Sequence, residues 1–382
     1  MNFQWTPKQT ELRQSAVEFA QKELTGDVIT RDRDGTFARE LWQKCADFGI
    51  FSKSVPGGFA GEEGMDFLEL ALFMEGLGYG CLDNGFVFAL GAQILAIQTP
   101  VARFGTEEQK EKFLTKMCAG KWIGAHALTE PETGSDVYNI HTIAEKVSGG
   151  YRLNGSKRLV TLAPAADVFL TFATINPKLG KWGLTAFLVE RDREGVIPTP
   201  VQEKMGLRTV PIGGVTFKDC FVPDSNVLDK EGAGLAISTQ SLEIERCGIL
   251  SAQVGAMERQ LEVAIKYAKE RQQYGQPISN FQSVSNRIAE MRLRLETARL
   301  LLYKTAWLKK ESKEASLDSA LLKLHLSECF VESSMDAIRI HGGNGYLTEN
   351  GIERDLRDSI GAVIYAGTSD IQRNVIAKLL GV

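Results

Sequence analysis

Residues Ala127–Asp136, with the sequence ALTEPETGSD, lie directly after an apolar run at 122–125 that is typical of a buried strand. Thr129 and Ser135 lie on either side of a turn at Gly134. Hydroxyl and backbone N–H groups at a glycine turn can approach a planar polar ligand and its phosphates closely, because no bulky side chain intervenes. The composition alone is equally typical of a surface turn. The stretch is therefore a candidate ligand loop.

Length and composition indicate a multidomain protein. At 382 residues the chain is longer than one core usually organises, and its 43% hydrophobic residues can form sizeable cores. A net charge of -4 and the lack of a long basic run argue against a nucleic-acid partner. The six cysteines have neither metal nor redox spacing, which predicts reduced thiols and no metal site. No signal-like or membrane-spanning run is evident, so we expect a cytoplasmic protein without a membrane partner.

Hydrophobic periodicity divides the chain into three regions. Residues 1–120 have helical spacing, with a capping box from Thr106 to Gln109. Residues 121–232 consist of short alternating runs between turn residues, which is typical of a β domain. Residues 233–382 return to long helical stripes that favour an antiparallel bundle. We therefore predict an α+β, mostly α fold: an N-terminal helical domain, a middle β-barrel-like domain and a C-terminal four-helix bundle.

Individual elements are predicted in the second and third regions. Hairpin turns are expected at Ser148–Gly150 and Asn154–Gly155. The predicted strands are His141–Val147, Tyr151–Leu153, Lys157–Thr161, Val168–Ile175, Leu184–Val189 and Gly214–Phe217. The predicted helices after residue 232 are Leu235–Arg271, Gln282–Leu308, Leu317–Ile340 and Thr368–Leu380.

The loop at Ala127–Asp136 resembles the first signature of the acyl-CoA dehydrogenase flavoproteins, in which Thr-Glu and Gly-Ser-Asp fall at these offsets. In that family the strand and loop hold FAD and the thioester end of the substrate. The resemblance also implies a substrate contact by Ser135. The implied FAD contacts in this stretch are Ala127, Leu128, Thr129, Gly134 and Ser135.

A second segment, LNGSK at Leu153–Lys157 followed by Val160–Thr161, resembles the next flavin-contacting part of the family. The resemblance implies that Thr161 lies near the N5 edge of the flavin. Leu159 departs from the pattern, because this position is usually aromatic in the family. A face of the isoalloxazine would then pack against aliphatic carbon.

Two further segments resemble FAD-binding parts of the family, and in the family the arginine and glutamine of the first of them reach the FAD of a neighbouring subunit. RQQYGQPISNFQ, beginning at Arg271, resembles the RxxFGxxIxxxQ segment, and the forked charge of an arginine suits a diphosphate. The alternative is a helix-ending arginine in a solvated turn. HGGNGY, beginning at His341, resembles the second signature, with arginine where glutamine is usual two residues earlier. The resemblance implies a homo-oligomer, usually a tetramer, and FAD contacts by Arg271, Tyr274, Gln282, Arg339, Gly342 and Gly343.

The candidate base follows from a fifth resembling segment. IYAGTSDIQ at Ile364–Gln372 resembles the IYEGTxxIQ loop, but Ala366 stands where many members have their catalytic glutamate. In a branch that includes isovaleryl-specific enzymes, the base precedes an arginine on the long helix, and Glu245–Arg246 matches it. Helical neighbours of Glu245 are small or apolar, so burial would raise its pKa toward a useful range. Glu243 has apolar neighbours too, and only the Glu-Arg match favours Glu245. The resemblance further implies substrate contacts by Arg246 and Ala366 and cofactor contacts by Thr368 and Asp370.

The resemblance implies dehydrogenation of a thioester: a carboxylate removes the α proton while the flavin accepts a hydride from the β position. The oxyanion would be held by a flavin ribityl hydroxyl and by the backbone N–H at Ala366, which the missing side chain leaves intact.

Segments such as CLDNGFVFALGAQ and SVSNRIAEMRLRLETARLLL resemble the branch that oxidises prolyl groups tethered to peptidyl carrier proteins in natural-product biosynthesis. A dehydrogenase of short or branched acyl-CoA is the alternative within the class. A non-catalytic or DNA-associated flavoprotein is the alternative from another class, although the acidic balance speaks against it. Electron-transfer flavoprotein and oxygen both remain open as the electron acceptor.

Overall fold

The computed structural model describes residues 4–382. Its first helix, α1 (Pro7–Glu23), begins at a proline, and Thr6 closes a capping box with Gln9. The predicted capping box of Thr106 with Gln109 is also present. The other helices of this region are α2 (Val28–Asp34), α3 (Arg39–Asp47), α4 (Ile50–Lys53), α5 (Phe67–Gly80), α6 (Asn84–Gly91), α7 (Thr99–Phe104), α8 (Glu107–Gln109) and α9 (Thr115–Cys118).

Helices α6 and α7 form one apolar helix with the π-helical turns Ala92–Gln98 between them. Across residues 4–382, only this helix, Asn84–Phe104, is long and apolar enough to cross a membrane, and 89% of its most apolar window is buried inside the protein. Ile94 and Ile97 lie in the main hydrophobic core. The helix therefore forms part of the core of the protein.

The middle of the chain forms a curled seven-stranded sheet, as predicted for this region. Its order is β1-β4-β2-β3-β7-β6, with β5 paired to β4. Strand β1 runs parallel to β4, so the loop that follows Ala127 leaves the sheet beside Thr171. The strands are β1 (Gly124–Ala127), β2 (Ile143–Val147), β3 (Gly150–Thr161), β4 (Val168–Thr174), β5 (Leu184–Glu190), β6 (Val196–Pro198) and β7 (Ile212–Pro223).

One predicted hairpin is wrong. The chain turns between Val147 and Gly150, as expected, but it does not turn at Asn154–Gly155, where β3 continues with a bulge. A Cβ at Gly155 would lie 2.5 Å from the Thr142 hydroxyl oxygen, so glycine serves a close approach there. The two predicted strands on either side of Asn154–Gly155 are therefore one strand.

The last region consists of long helices, as predicted. Helices α10 (Gly234–Glu270), α11 (Gln282–Lys310) and α12 (Ser316–His341) pack together, and a short hairpin of β8 (Gln272–Gln273) and β9 (Gln276–Pro277) joins the first two. Helix α15 (Ser369–Leu380) packs on α12. The short helices α13 (Gly343–Tyr346) and α14 (Ile352–Ala362) lie between them. The division of the chain at residues 120 and 232 stays a prediction.

Helix α10 also packs closely on α5 of the first region, and two glycines permit this contact. A Cβ at Gly78 would lie 1.9 Å from the carbonyl oxygen of Ala252, and a Cβ at Gly255 would lie 2.0 Å from that of Glu75. Both distances are far inside van der Waals contact, so neither helix tolerates a side chain at these positions. The packing fixes α10 against the N-terminal helices.

We predict that Gly78→Ala lowers the free energy of unfolding by about 2–3 kcal/mol, because the added methyl group forces the two backbones apart. Urea unfolding of the variant and the unmodified protein measures this change. Gly361→Ala on α14 is the control, since the nearest atom to its Cβ would be the flexible end of Leu207 at 3.2 Å, and the Tyr365 ring would lie at ordinary contact distance. Alanine also favours a helix over glycine by about 1 kcal/mol. Equal losses in both variants would contradict the packing argument.

Candidate active site

Glu245 lies on the buried face of α10, in the first third of this helix. Its side chain is 9% exposed, and its Oε1 accepts a hydrogen bond of 2.8 Å from the Ser241 hydroxyl one turn earlier. Burial raises the pKa of Glu245 to about 7, although Ser241 and Arg246 favour the charged form. A carboxylate with such a pKa is suited to accept a proton near neutral pH.

Glu243 is held in a different environment. Its two carboxylate oxygens accept hydrogen bonds of 2.6 Å from the Lys309 ammonium and 2.8 Å from the Ser316 hydroxyl. The Glu243 carboxylate is therefore engaged by a cation, whereas that of Glu245 is bonded to the Ser241 hydroxyl. The structure thus gives the two glutamates different surroundings, which spacing alone did not.

Arg246 connects α10 to the loop around Ala366. The Nε of Arg246 donates a hydrogen bond of 3.2 Å to the Ala366 carbonyl, and burial lowers the pKa of the guanidinium. Tyr138 is close enough to Arg246 to interact electrostatically, and its hydroxyl lies 2.8 Å from that of Thr239 on α10. The chain thus brings Glu245, Arg246 and Ala366 together with the end of the 127–138 loop.

The start of that loop is held by a fully buried ion pair. The Lys157 ammonium on β3 lies 2.7 Å from the Glu130 carboxylate and donates to the Leu128 carbonyl at 3.2 Å. The same carboxylate accepts from the backbone amides of His141 and Thr142. Burial lowers the pKa of Lys157 to about 8, whereas the charge of Glu130 raises it. This network holds Leu128–Glu130 in one position.

Several donors in this loop have no partner among residues 4–382. The backbone amide of Thr129 donates to no acceptor, and the Thr133 hydroxyl oxygen is buried without a hydrogen bond. Gly134 and Ser135 are exposed, and a Cβ at Gly134 would meet nothing within 4 Å. Unpaired amides and hydroxyls beside an open backbone fit the polar edge of a flavin. Ala127 and Leu128 are buried beneath the loop.

Thr161 and Leu159 lie at the end of β3. Thr161 pairs with Ile212 of β7 and is half-buried. Leu159 has a positive φ of 54° and is 60% exposed, so the bulged strand presents its aliphatic side chain to the surface. An aliphatic contact with a cofactor at this position is therefore sterically open.

The remaining cofactor candidates form a second group at the far end of α10. Arg271 ends this helix, Tyr274 is 94% exposed in the β8-β9 hairpin, and Gln282 begins α11. Arg339 donates to Asp336, which also accepts from two other arginines. Gly342 and Gly343 are exposed at the end of α12.

Two further cofactor candidates lie at the start of α15. The Thr368 hydroxyl accepts a hydrogen bond of 3.2 Å from the Ile371 amide and so caps this helix. Asp370 is exposed and pairs with Arg373. Thr368 and Asp370 follow Ala366 in the chain by two and four residues.

An open cavity of about 570 Å³ lies at the N-terminal end of α10, on the face that carries Glu243. Its lining includes Thr239, which bonds to Tyr138, and the exposed Trp182 of the β region. Three cations, Arg103, Lys309 and Lys313, lie around it, and only Lys309 is paired with Glu243. The cavity is therefore cationic at its rim.

Sequence reasoning missed the groups that hold these site residues in place. Lys157 and Glu130 both lie within quoted motifs, and a buried pair of opposite charges was not foreseen. Gln253 donates to the Tyr365 hydroxyl at 2.7 Å, and Gln372 donates to the loop carbonyls. Of these two glutamines, only Gln372 lies within a quoted motif, IYAGTSDIQ. Within residues 4–382, no three His, Cys, Asp or Glu side chains are grouped to hold a metal ion.

Comparison with known proteins gives the family. The chain matches the acyl-CoA dehydrogenase N-terminal domain over residues 6–121, the middle domain over 125–220 and the C-terminal domain over 232–381. The chain belongs to the acyl-CoA dehydrogenase family. The family resemblance and the predicted fold class are thereby confirmed.

Three similar proteins define its place among the acyl-CoA dehydrogenases. An L-prolyl-[peptidyl-carrier protein] dehydrogenase from Serratia sp. (strain ATCC 39006) is 42% identical over 100% of this chain and 98% of its own. The prolyl acyl carrier protein oxidase AnaB is 47% identical, with a TM-score of 0.97 over 99% of this chain and 100% of that chain. The structure of PigA with FAD and proline is 41% identical, with a TM-score of 0.97 over 100% of this chain and 99% of that chain.

We predict that Glu245→Gln removes a pH-dependent loss of stability. Since the pKa of this carboxyl is raised from 4.5 to about 7 in the fold, the unfolded chain ionises first as the pH rises. The unmodified protein therefore loses up to about 3 kcal/mol between these pH values, and the variant does not. Urea unfolding at pH 5 and pH 8 measures the difference.

Glu243→Gln is the matched control, because it breaks the ion pair with Lys309 and should destabilise the protein. If Glu245→Gln had the same effect on stability at both pH values, Glu245 would not have a raised pKa.

Proposed function

We propose that this acyl-CoA dehydrogenase oxidises a prolyl group held as a thioester on a carrier protein, with FAD as its cofactor. The observation that carries the proposal is the buried Glu245, with a pKa near 7, beside Arg246 and the Ala366 loop. The chain thus keeps a base at the position of the family's helix-borne glutamate, although it lacks a glutamate at 366. Family membership supports FAD and an enzymatic role over a binding protein.

The residues have separate tasks in this reaction. The Glu245 carboxylate takes the α proton, and the Ser241 hydroxyl orients its Oε1. The backbone amide of Ala366 donates to the thioester oxygen as negative charge develops there. The low dielectric around Glu245 raises its proton affinity, which favours the transfer. Bound FAD supplies the acceptor for the hydride lost from the β position.

Contacts to FAD are proposed for both groups of candidates. The unpaired amide of Thr129 and the hydroxyls near Gly134 would hold the flavin end in the same chain. Arg271 follows Glu245 by 26 residues, which is about 39 Å of α-helix. This length exceeds the span of an extended FAD, so Arg271 and Gln282 would serve the cofactor of a neighbouring subunit.

A second observation supports association of this kind. Leu293, Leu300 and Trp307 recur every seven residues along α11 and are 57%, 54% and 43% exposed. An apolar stripe on a long helix is a surface that a second copy can cover. We therefore propose a homo-oligomer, with a tetramer as the expected form.

A carrier protein is proposed as the group that bears the thioester, on the basis of the similar proteins and of the charged cavity. The Serratia relative is named for a prolyl carrier protein substrate, and so is AnaB. The rim formed by Arg103, Lys309 and Lys313 suits the phosphate of a phosphopantetheine arm. We further propose a cytoplasmic location, a role in natural-product biosynthesis, and either electron-transfer flavoprotein or oxygen as acceptor.

We predict that Glu245→Gln retains FAD but slows flavin reduction by two to four orders of magnitude, the range typical of a positioned base. Anaerobic single-turnover bleaching with a prolyl thioester measures this rate. Glu243→Gln should reduce its flavin far faster than Glu245→Gln, because its carboxylate is engaged with Lys309. Nearly normal reduction by Glu245→Gln, with slow reduction by Glu243→Gln, would move the base to Glu243.

The thioester handle gives a separate prediction. Prolyl-S-carrier protein should reduce the flavin faster than prolyl-CoA in the same single-turnover assay, because only the carrier adds protein contacts at the mouth. Butyryl-CoA serves as the comparison for an ordinary acyl substrate. Faster reduction by prolyl-CoA would contradict the carrier, and bleaching by butyryl-CoA alone would indicate an acyl-CoA dehydrogenase of short chains.

A further inference from the structure

The loop at Tyr365–Thr368 has an unusual backbone. Ala366 has a φ of 52° and Gly367 a φ of 93°, so two consecutive residues adopt the left-handed region. This conformation costs free energy at alanine, which tolerates it only where the surroundings impose it. The backbone amides of Ala366, Gly367 and Thr368 donate to no acceptor among residues 4–382.

The carbonyl groups of the same loop, in contrast, are held firmly. The Gln372 carboxamide is buried, with 0% exposure, and its Nε2 donates to the carbonyls of Ala366 at 3.3 Å and Gly367 at 3.1 Å. Arg246 donates to the Ala366 carbonyl from the other side, at 3.2 Å. Two side chains therefore converge on one carbonyl oxygen.

Holding these carbonyls determines the direction of the neighbouring amides. In a trans peptide the C=O and the following N–H point in opposite directions. When Gln372 draws the carbonyls of Ala366 and Gly367 inward, the amides of Gly367 and Thr368 turn outward. Consecutive amides in a turn of this kind form a concave site for negative charge.

Glycine at 367 is required for the same contact. A Cβ there would lie 2.6 Å from the Gln372 Nε2 and would push the carboxamide away. The sequence of the loop and the position of Gln372 on α15 are thus matched to each other. The side chain of residue 366 has no part in this arrangement.

We propose that Gln372 is a positioning residue, which orients the Gly367 and Thr368 amides toward the developing oxyanion of the thioester, beside the amide of Ala366. This inference rests on the proposed function, because the oxyanion belongs to that reaction. It explains how the loop keeps a catalytic use after the glutamate at position 366 has become alanine. These amides are oriented by Gln372 of α15 and by Arg246, and not by the side chain of residue 366.

The test is Gln372→Met, which keeps the length of the side chain and removes its donors. Gln260→Met is the matched control, since Gln260 is also buried and its Nε2 donates to Ser334 at 2.8 Å and Asp355 at 3.0 Å. Neither of these partners belongs to the loop. Both variants lose two buried hydrogen bonds, so both should lose similar stability.

Two measurements separate positioning from stability. Hydrogen–deuterium exchange should become faster at the hydrogen-bonded amides of Tyr365 and Ser369, which flank the loop, in FAD-loaded Gln372→Met and stay unchanged there in Gln260→Met. Single-turnover flavin reduction by a prolyl thioester should slow about 10- to 100-fold in Gln372→Met, less than the loss of a whole oxyanion donor. The dissociation constant of the thioester should change little, and the isotope effect of α-deuterated substrate should rise.

Unchanged exchange at the Tyr365 and Ser369 amides in Gln372→Met would overturn the positioning role. A rate loss no larger than that of Gln260→Met, or a loss only in thioester binding, would overturn its catalytic use. Absence of bleaching in the unmodified protein would contradict the proposed function alone, because the exchange experiment needs no substrate.

Discussion

The close contact of α10 with α5 is the constraint on which the rest of the structure depends. Helix α10 runs for 37 residues and packs against α5, α11, α12 and β5. Its glycines permit backbone-to-backbone approach, and a Cβ at Gly248 would meet Leu95 at 2.5 Å. Because these contacts leave α10 little freedom to slide or rotate, the register of Glu245 is fixed by packing many residues away from it.

Arg246 is the charge at which three separate segments meet. It bonds to the Ala366 carbonyl, interacts with Tyr138 of the first loop and faces Lys323 of α12. Lys323 is fully buried, and burial together with the charge of Arg246 lowers its pKa to about 8. A concentration of positive charge therefore lies beside Glu245, the proposed base.

Much of this arrangement was available from the sequence. Long stripes of period 3.6 predicted α10 to α12 nearly to the residue, because helices of this length repeat their pattern many times. The hairpin predicted at Asn154–Gly155 was wrong, because the dipeptide that favours a hairpin also fits a bulge when another strand lies close. Local patterns do not specify which of the two will form.

The candidate site, like the fold, was only partly predictable from the sequence. Family spacing pointed to Glu245 as the candidate base. A physical reason to prefer it over Glu243 came only from the structure, in which Lys309 binds Glu243. Gln372 and the Lys157–Glu130 pair depend on contacts between residues distant along the chain. No pattern in one sequence encodes such contacts. Single-sequence reasoning therefore proposed candidates for the reacting groups but missed the side chains that hold them in place.

The location of Glu245 on a helix has a consequence for how such enzymes diversify. A proton acceptor carried by a rigid helix keeps its alignment while the facing loop changes in length, shape or sequence. Mutations in that loop can then alter the shape of the site while the proposed proton acceptor keeps its place. A chain organised in this way can change the loop that faces its substrate separately from the helix that carries its carboxylate.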